Sequence, residues 1–385
     1  MMDFEFSTAS RIIFGTGSLQ NIGNNILDLG DTALVITNLK LEIAQKLFEQ
    51  LNRSGISFLS ISVNGEPTVD SIREGVAIAR KEKYKLVIGI GGGSAIDTGK
   101  AIAALAVNKG EVLDYLEVIG KGKSLLNLSL PFIAIPTTAG TGSEVTRNAV
   151  IGSPEQAVKV SLRSPAMLPK LALVDPELTF SVPPQVTATT GLDAITQLIE
   201  PYVSNMANPV TDSLCIEGLT RAARSIQVAY ENGEDLSARQ DMCLASLFSG
   251  MALANARLGA VHGFAAPLGG MYSAPHGAIC ARLLPIVFEV NLRAMKARDP
   301  KNPSLSRFEE IGKLLTRIQG SSAIDGASWL AEKVEALNIT GLAIFGLQVK
   351  HFPDLIEKAM KASSMEGNPI KLDYSELYEI LERSL

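Results

Sequence analysis

Along the first 140 residues, short apolar runs rich in Val and Ile alternate with longer stretches of helical spacing. ALVITN (33–38) precedes LEIAQKLFEQLNRSG, and FLSISV (58–63) precedes VDSIREGVAIARKEK. KLVIGIGGGS (85–94) precedes AIDTGKAIAALAV, and PFIAIPTTAG (131–140) follows. Such alternation predicts a mostly parallel sheet with helices on both faces. After ALVDPEL (172–178) the pattern changes. PELTFSVPPQ (176–185) is proline-rich and reads as a linker. Beyond it strand-like runs almost vanish, and PVTDSLCIEGLTRAARSIQVAYENG and RQDMCLASLFSGMALANARLGAV predict helices. Near the end, Asp373 with Glu376 three residues on predicts a helix start with reciprocal capping. The expected organisation is an α/β domain over 1–180 and an all-helical domain over 181–385.

Composition narrows the function. An apolar fraction of 46% with 19% charged residues describes a packed globular chain. The net charge of −5 and the lack of a Lys/Arg run argue against nucleic acid as partner, and offer no patch for an anionic membrane surface. MMDFEFSTAS has neither a basic start nor an apolar run, and AIAALAV (101–107) is too short to span a bilayer. No membrane association is expected, and the cytoplasm is the default location. Cys215, Cys243 and Cys280 lie in apolar surroundings without CxxC spacing, which predicts buried, reduced thiols.

Two loops carry candidate cofactor chemistry. VIGIGGGSAIDTGK (87–100) reads as strand, glycine turn and helix start. Gly91, Gly92 and Gly93 would let a phosphate approach backbone N–H groups at a helix N-terminus, and Ser94 could cap that helix. Ser94 stands where a GxGxxG fingerprint needs its last glycine, so the usual dinucleotide motif is not met. PTTAGTGSE (136–144) supplies a second loop with hydroxyls at Thr137, Thr138 and Thr141. Loops of this kind at the carboxyl ends of parallel strands are where an open α/β sheet binds nucleotides.

The candidate metal chemistry lies further on. Asp193 and Gln197 are four residues apart in GLDAITQLIEPY and share a helix face. An apolar setting leaves the Asp193 carboxylate in need of a cation, a hydrogen-bond network or exposure. Two of the three histidines, His262 and His276, flank a stretch broken by Pro and Gly, expected to be a loop between two helices. Asp plus two His suits Zn²⁺ or Fe²⁺ and leaves coordination positions open. His351 is expected at the surface.

These segments, in this order, resemble the iron-containing (group III) alcohol dehydrogenases. The resemblance rests on GGGSAIDTGKA, IPTTAGTGSEVTRNAVI, LALVDPELT, TGLDAITQLIEPYVSNMANPVTDSL and LGAVHGFAAPLGGMYSAPHG. It implies a dehydroquinate-synthase-like fold, with a nucleotide-binding α/β domain, a helical metal and substrate domain, and a cleft between them. It implies NAD(P)-dependent interconversion of an alcohol and an aldehyde or ketone, on a divalent metal such as Fe²⁺ or Zn²⁺, in a homodimer or larger assembly. By position, Gly91 to Ser94 and Asp97 would surround the pyrophosphate, Thr137, Thr138 and Thr141 form the second cofactor loop, and Asn148 and Lys159 approach the ribose and nicotinamide side. Asn38 falls where many NAD-preferring relatives carry Asp, so NADP is an admissible cofactor beside NAD. Asp193, His262 and His276 match metal ligands and catalytic positions, and Gln197, which stands where the family has a ligand His, is the fourth candidate metal ligand through its carbonyl oxygen, a poorer donor than imidazole. Ala266 replaces a further family histidine. Two other readings follow from those departures: a metal-independent reductase of the same fold, similar to maleylacetate reductases, and a catalytically inactive dinucleotide-binding protein.

Overall fold

The structure, a computed structural model, describes residues 3–156, 158–272 and 274–385. Eight strands occur in chain order: β1 (Ile12–Phe14), β2 (Thr32–Thr37), β3 (Ser57–Ser62), β4 (Leu86–Gly91), β5 (Phe132–Pro136), β6 (Asn148–Ser153), β7 (Val158–Arg163) and β8 (Leu171–Val174). Six of them form one sheet in the order β1-β8-β5-β4-β2-β3, and every pairing in it is parallel. β6 and β7 form a separate antiparallel hairpin.

The four strands predicted from apolar runs are β2 to β5. Alternation along them explains the double-sided burial. Leu34 and Ile36 join one core with Val87, Phe132 and Ala134. Ala33 and Val35 join the other with Ile88, Ile90, Ile133 and Ile135. Each such side chain contributes roughly 1.5–3 kcal/mol on leaving water. The helices Leu41–Arg53, Val69–Glu82 and Gly93–Ala106 cover the sheet, as their spacing predicts. β1 and β8 escape pattern reading because three or four residues carry no usable period. What fixes them is tertiary: Asp175, just after β8, accepts hydrogen bonds from the N–H groups of Gly17 (3.0 Å) and Leu19 (3.1 Å).

Two compact units divide the chain. One comprises Thr8–Thr138 and Gly142–Ser181; the other comprises Val182–Leu385 together with Ala139–Thr141 and the N-terminal stretch ending at Ser7. Beyond residue 181 the described residues form helices and no strand. The Tyr374–Ser384 helix starts as its sequence predicts: Asp373 Oδ1 accepts from Glu376 N–H (2.9 Å), and Glu376 Oε2 accepts from Asp373 N–H (2.7 Å).

The helix Ala260–Met271 carries His262 and runs through Pro267, so it takes up most of the stretch expected to be a loop between the two histidines. The preceding helix Leu236–Ala256 ends earlier than its sequence suggests, and the chain turns by 98° before the new helix begins. Arg257 takes a left-handed φ of 62° at that turn. Burial of Val261, Phe264, Ala265 and Leu268 on one face holds the short helix despite its proline. His262 thereby lies in a helix first turn. Among the described residues no single helix is long and apolar enough to cross a membrane.

Candidate active site

In the α/β unit, strand order reverses between β2 and β4, since β3 lies beyond β2 on one side and β5 beyond β4 on the other. Crevices at the carboxyl ends of strands at such a reversal are where nucleotides bind. Asn38 follows β2, and Gly91 to Gly93 follow β4. The two loops are joined, because Asn38 Oδ1 accepts the Gly92 N–H at 3.2 Å. Gly91 has φ of 149°, and a Cβ there would fall 2.1 Å from Asn38 Oδ1, so the approach requires glycine. Gly92 itself is the N-cap of the Gly93–Ala106 helix, and no side chain caps it. Ser94, expected as the cap, is the second helical residue and its carbonyl accepts from Thr98. The uncapped first turn leaves N–H groups for an anion. Thr137 N–H donates to Gly91 O (2.9 Å), which fixes the second loop beside the first. Lys159 pairs with Glu66 at 2.5 Å.

Asp97 faces inward. Its Oδ2 accepts from Val150 N–H (2.9 Å), tying β6 to the glycine-loop helix. Its partner, Lys100, is fully buried and donates to Ser143 O (2.8 Å), Thr146 Oγ1 (3.0 Å) and Asn148 O (2.7 Å). Three acceptors match the three protons of an ammonium group. Burial pulls the Lys100 ammonium down from its ordinary range, against Asp97 and Glu144. Burial likewise pushes the Glu144 carboxyl up to about 7, opposed by backbone hydrogen bonding and by Lys100. Lys100 and Glu144 were missed in the sequence. Their signal was available: Lys100 lies one turn after Asp97, and Glu144 closes the second loop.

The helical unit holds the second constellation. The Pro184–Val203 helix presents Asp193, Gln197 and Glu200 on one face, the spacing i, i+4, i+7. His262 Nε2 lies 3.5 Å from Asp193 Oδ1, and His276 Nε2 lies 3.7 Å from the same oxygen. Cys280, one turn after His276 on the His276–Arg298 helix, places its sulfur 3.8 Å from His262 Nε2 and 3.6 Å from His276 Nε2. The donor atoms of Asp193, His262, His276 and Cys280 all lie within 4.8 Å of one another. Three of these side chains are buried, and His276 is the partly exposed member.

Supporting contacts set each donor. Gln197 Nε2 donates to Asp193 Oδ2 (3.0 Å), and Gln197 Oε1 accepts from Ser249 (3.0 Å). Both ends of the Gln197 amide are therefore occupied, and the residue sits beside the cluster as the holder of Asp193. Glu200 Oε2 lies 2.6 Å from His262 Nδ1, and Glu200 Oε1 accepts from Val261 N–H (2.7 Å). That pairing turns Nε2 of His262 toward Asp193. A Cβ at Gly259 would lie 3.0 Å from Glu200 Oε1, so the turn before His262 admits little else. Burial disfavours the imidazolium of His262, but Cys280, Glu200 and Asp193 outweigh it and carry the ring well above its ordinary range. Burial also opposes charge on Asp193, yet His276 and His262 hold its carboxyl below the usual range. Burial drives the Cys280 thiol up to about 12.

One atom is left over. Asp193 Oδ1 is buried and makes no hydrogen bond, although it faces both rings. A buried carboxylate oxygen without a donor costs about 1–3 kcal/mol or more. A divalent cation would satisfy it, and the O, N, N, S donor set suits one. Ala266 is exposed. His351, expected at the surface, is half-buried: its ring lies against Tyr272 with centroids 5.7 Å apart, and its Nδ1 is covered.

A parallel sheet with an uncapped helix start at its reversal point, and a helical unit with a buried cluster that could hold a cation, suit an enzyme that uses a nucleotide and a metal. Residues 9–176 match the model of the iron-containing alcohol dehydrogenases, and residues 187–385 match that of the C-terminal region of the Fe-containing alcohol dehydrogenase family. The chain is 33% identical to alcohol dehydrogenase 4 of Saccharomyces cerevisiae (strain YJM789), over 96% of each. It is 30% identical to an NAD-dependent methanol dehydrogenase of Bacillus methanolicus, over the whole of both. The crystal structure of a 1,3-propanediol oxidoreductase superimposes with a TM-score of 0.91 at 33% identity, covering both chains completely. The protein belongs to the iron-containing alcohol dehydrogenase family. It is an oxidoreductase acting on CH–OH groups with NAD.

Proposed function

We propose that Asp193, His262 and His276 hold a divalent cation, Fe²⁺ or Zn²⁺, at which the oxygen of an alcohol or carbonyl substrate reacts. The cation supplies Lewis-acid polarisation of that oxygen, and the nicotinamide cofactor supplies or takes up the hydride. The chain's own residues do the positioning. Gln197 holds the Asp193 carboxylate through one oxygen, leaving Oδ1 for the cation. Glu200 fixes His262 so that Nε2 presents its lone pair. The Gly91–Ser94 turn and the start of its helix receive the pyrophosphate, with Thr137, Thr138 and Thr141 as the second cofactor loop. Asn148 and Lys159 belong to the ribose and nicotinamide side. Asn38 adds no negative charge at the end of β2, which supports use of NADP as well as NAD. The family resemblance supports a homodimer or larger assembly and residence in the cytoplasm.

The unpartnered Asp193 Oδ1 carries this reading. It also weighs against the metal-independent reductase, where that oxygen would have only the long 3.5 and 3.7 Å approaches of two imidazoles. The test is turnover of an alcohol and aldehyde panel with NAD(H) and NADP(H), after loading with Fe²⁺ or Zn²⁺ and after removal of metal. Metal-dependent turnover is expected. Full activity in a rigorously metal-free sample would overturn the metal assignment.

A further inference from the structure

Gln197 brings no imidazole to the cluster; its amide donates to Asp193 and accepts from Ser249, so it serves the cluster by holding Asp193. Across the cluster a different donor is present. Cys280 is fully buried and lies within reach of both histidine Nε2 atoms. We infer that the Cys280 thiolate is the fourth protein ligand, giving an Asp/His/His/Cys site that favours the thiophilic cation Zn²⁺. This inference rests on the metal reading above and adds the sulfur to it.

The geometry supports it. Zn–N distances of about 2.0–2.1 Å and Zn–S of about 2.3 Å imply tetrahedral edges of ~3.3 Å between N or O donors and ~3.6 Å between N and S. The observed N···O separations are 3.5 and 3.7 Å, and the N···S separations are 3.6 and 3.8 Å. These four separations exceed the tetrahedral edges by no more than a few tenths of an ångström, and all four donor atoms lie within 4.8 Å of one another. Cys280 is buried and forms no disulfide. On binding, the thiol proton leaves to solvent and the sulfur gives an electron pair to the cation. Thiolate is a soft donor that tilts a mixed site toward Zn²⁺ and away from hard cations. With Cys280, four residues of this chain would hold the cation, which would polarise a substrate oxygen brought to it.

The metal-free whole protein is titrated with Co²⁺ alone and followed by absorption. A thiolate-to-cobalt charge-transfer band in the near ultraviolet, with the strong visible bands of tetrahedral cobalt, is expected. In Cys280→Ser the charge-transfer band should vanish, and Zn²⁺ affinity by chelator competition should fall at least tenfold. Failure of the wild-type protein to bind Co²⁺ or Zn²⁺ at all would overturn the metal reading together with this one. Binding without a charge-transfer band, and unchanged Zn²⁺ affinity in Cys280→Ser, would keep the metal and remove the sulfur. X-ray absorption on the zinc-loaded wild type is independent of any variant's folding. It should show one sulfur at about 2.3 Å, and a shell of oxygen and nitrogen alone would overturn the assignment.

Discussion

Asn38 shows how one residue serves two ends. Its Oδ1 holds the Gly92 N–H and so fixes the glycine turn, while on the proposed reading its amide adds no charge beside the cofactor's ribose. Aspartate offers the same acceptor oxygen and adds a negative charge. Asn38→Asp should therefore keep the turn and the NAD reaction, but lower kcat/KM with NADP relative to NAD on the order of tenfold, from like-charge repulsion of about 1 kcal/mol or more. Steady-state kinetics with both cofactors read the ratio, and an unchanged ratio would place the 2′-phosphate elsewhere. At this scale the sequence was informative about identities and silent about pairing. Asp193, His262 and His276 stand out by chemistry, yet nothing local shows that Gln197 holds Asp193 or that Cys280 joins them. Cys280 reads as a buried thiol, which it is. Its spacing one turn after His276 was the only sign of a further role.

At the scale of elements, three helices build the cluster, and one of them does most of the orienting. The Pro184–Val203 helix carries Asp193, Gln197 and Glu200 along a single face. Glu200 reaches the start of the next segment, where it holds both the Val261 N–H and the His262 ring. The expected outcome for Glu200→Gln is a 10–100-fold loss of metal affinity with the thermal midpoint changed little, because an oriented ligand loses its partner while the packing stays. Chelator competition and a melting curve on the same sample separate the two. A large drop in the melting midpoint with unchanged metal affinity would show Glu200 to be purely structural. Glu200 was missed, although it is the third member of an i, i+4, i+7 series with Asp193 and Gln197. The break before the Ala260–Met271 helix was not legible, because RQDMCLASLFSGMALANARLGAV reads as one continuous helix, and only the burial of Val261, Phe264 and Leu268 sets the 98° turn.

For the molecule as a whole, stability should carry the mark of its buried charges. Glu144 has its carboxyl raised by burial to about 7 in the folded protein, from an ordinary value near 4.5. The folded state then binds a proton that the unfolded state has already lost, between about pH 4.5 and 7. Stability therefore falls as pH rises through that window and levels off above it, by up to about 3 kcal/mol from this group. Glu144→Gln has the same shape without the titration, so its stability relative to the wild type should rise from pH 5 to pH 8. Urea unfolding at the two pH values measures the gap, and parallel behaviour of both proteins would refute the assignment. The sequence by itself determined the strands β2 to β5, the parallel α/β-then-helical order and the residue types of both loops and of the Asp/His/His set, because these depend on local pattern and side-chain chemistry. The tertiary structure decided which strands neighbour which, the join between Asn38 and Gly92, the inward turn of Asp97 toward Lys100, and the meeting of Asp193, His262, His276 and Cys280. Those are contacts between groups far apart in the chain, and their cost and reward arise only when packing removes water and leaves each buried polar atom to find its partner.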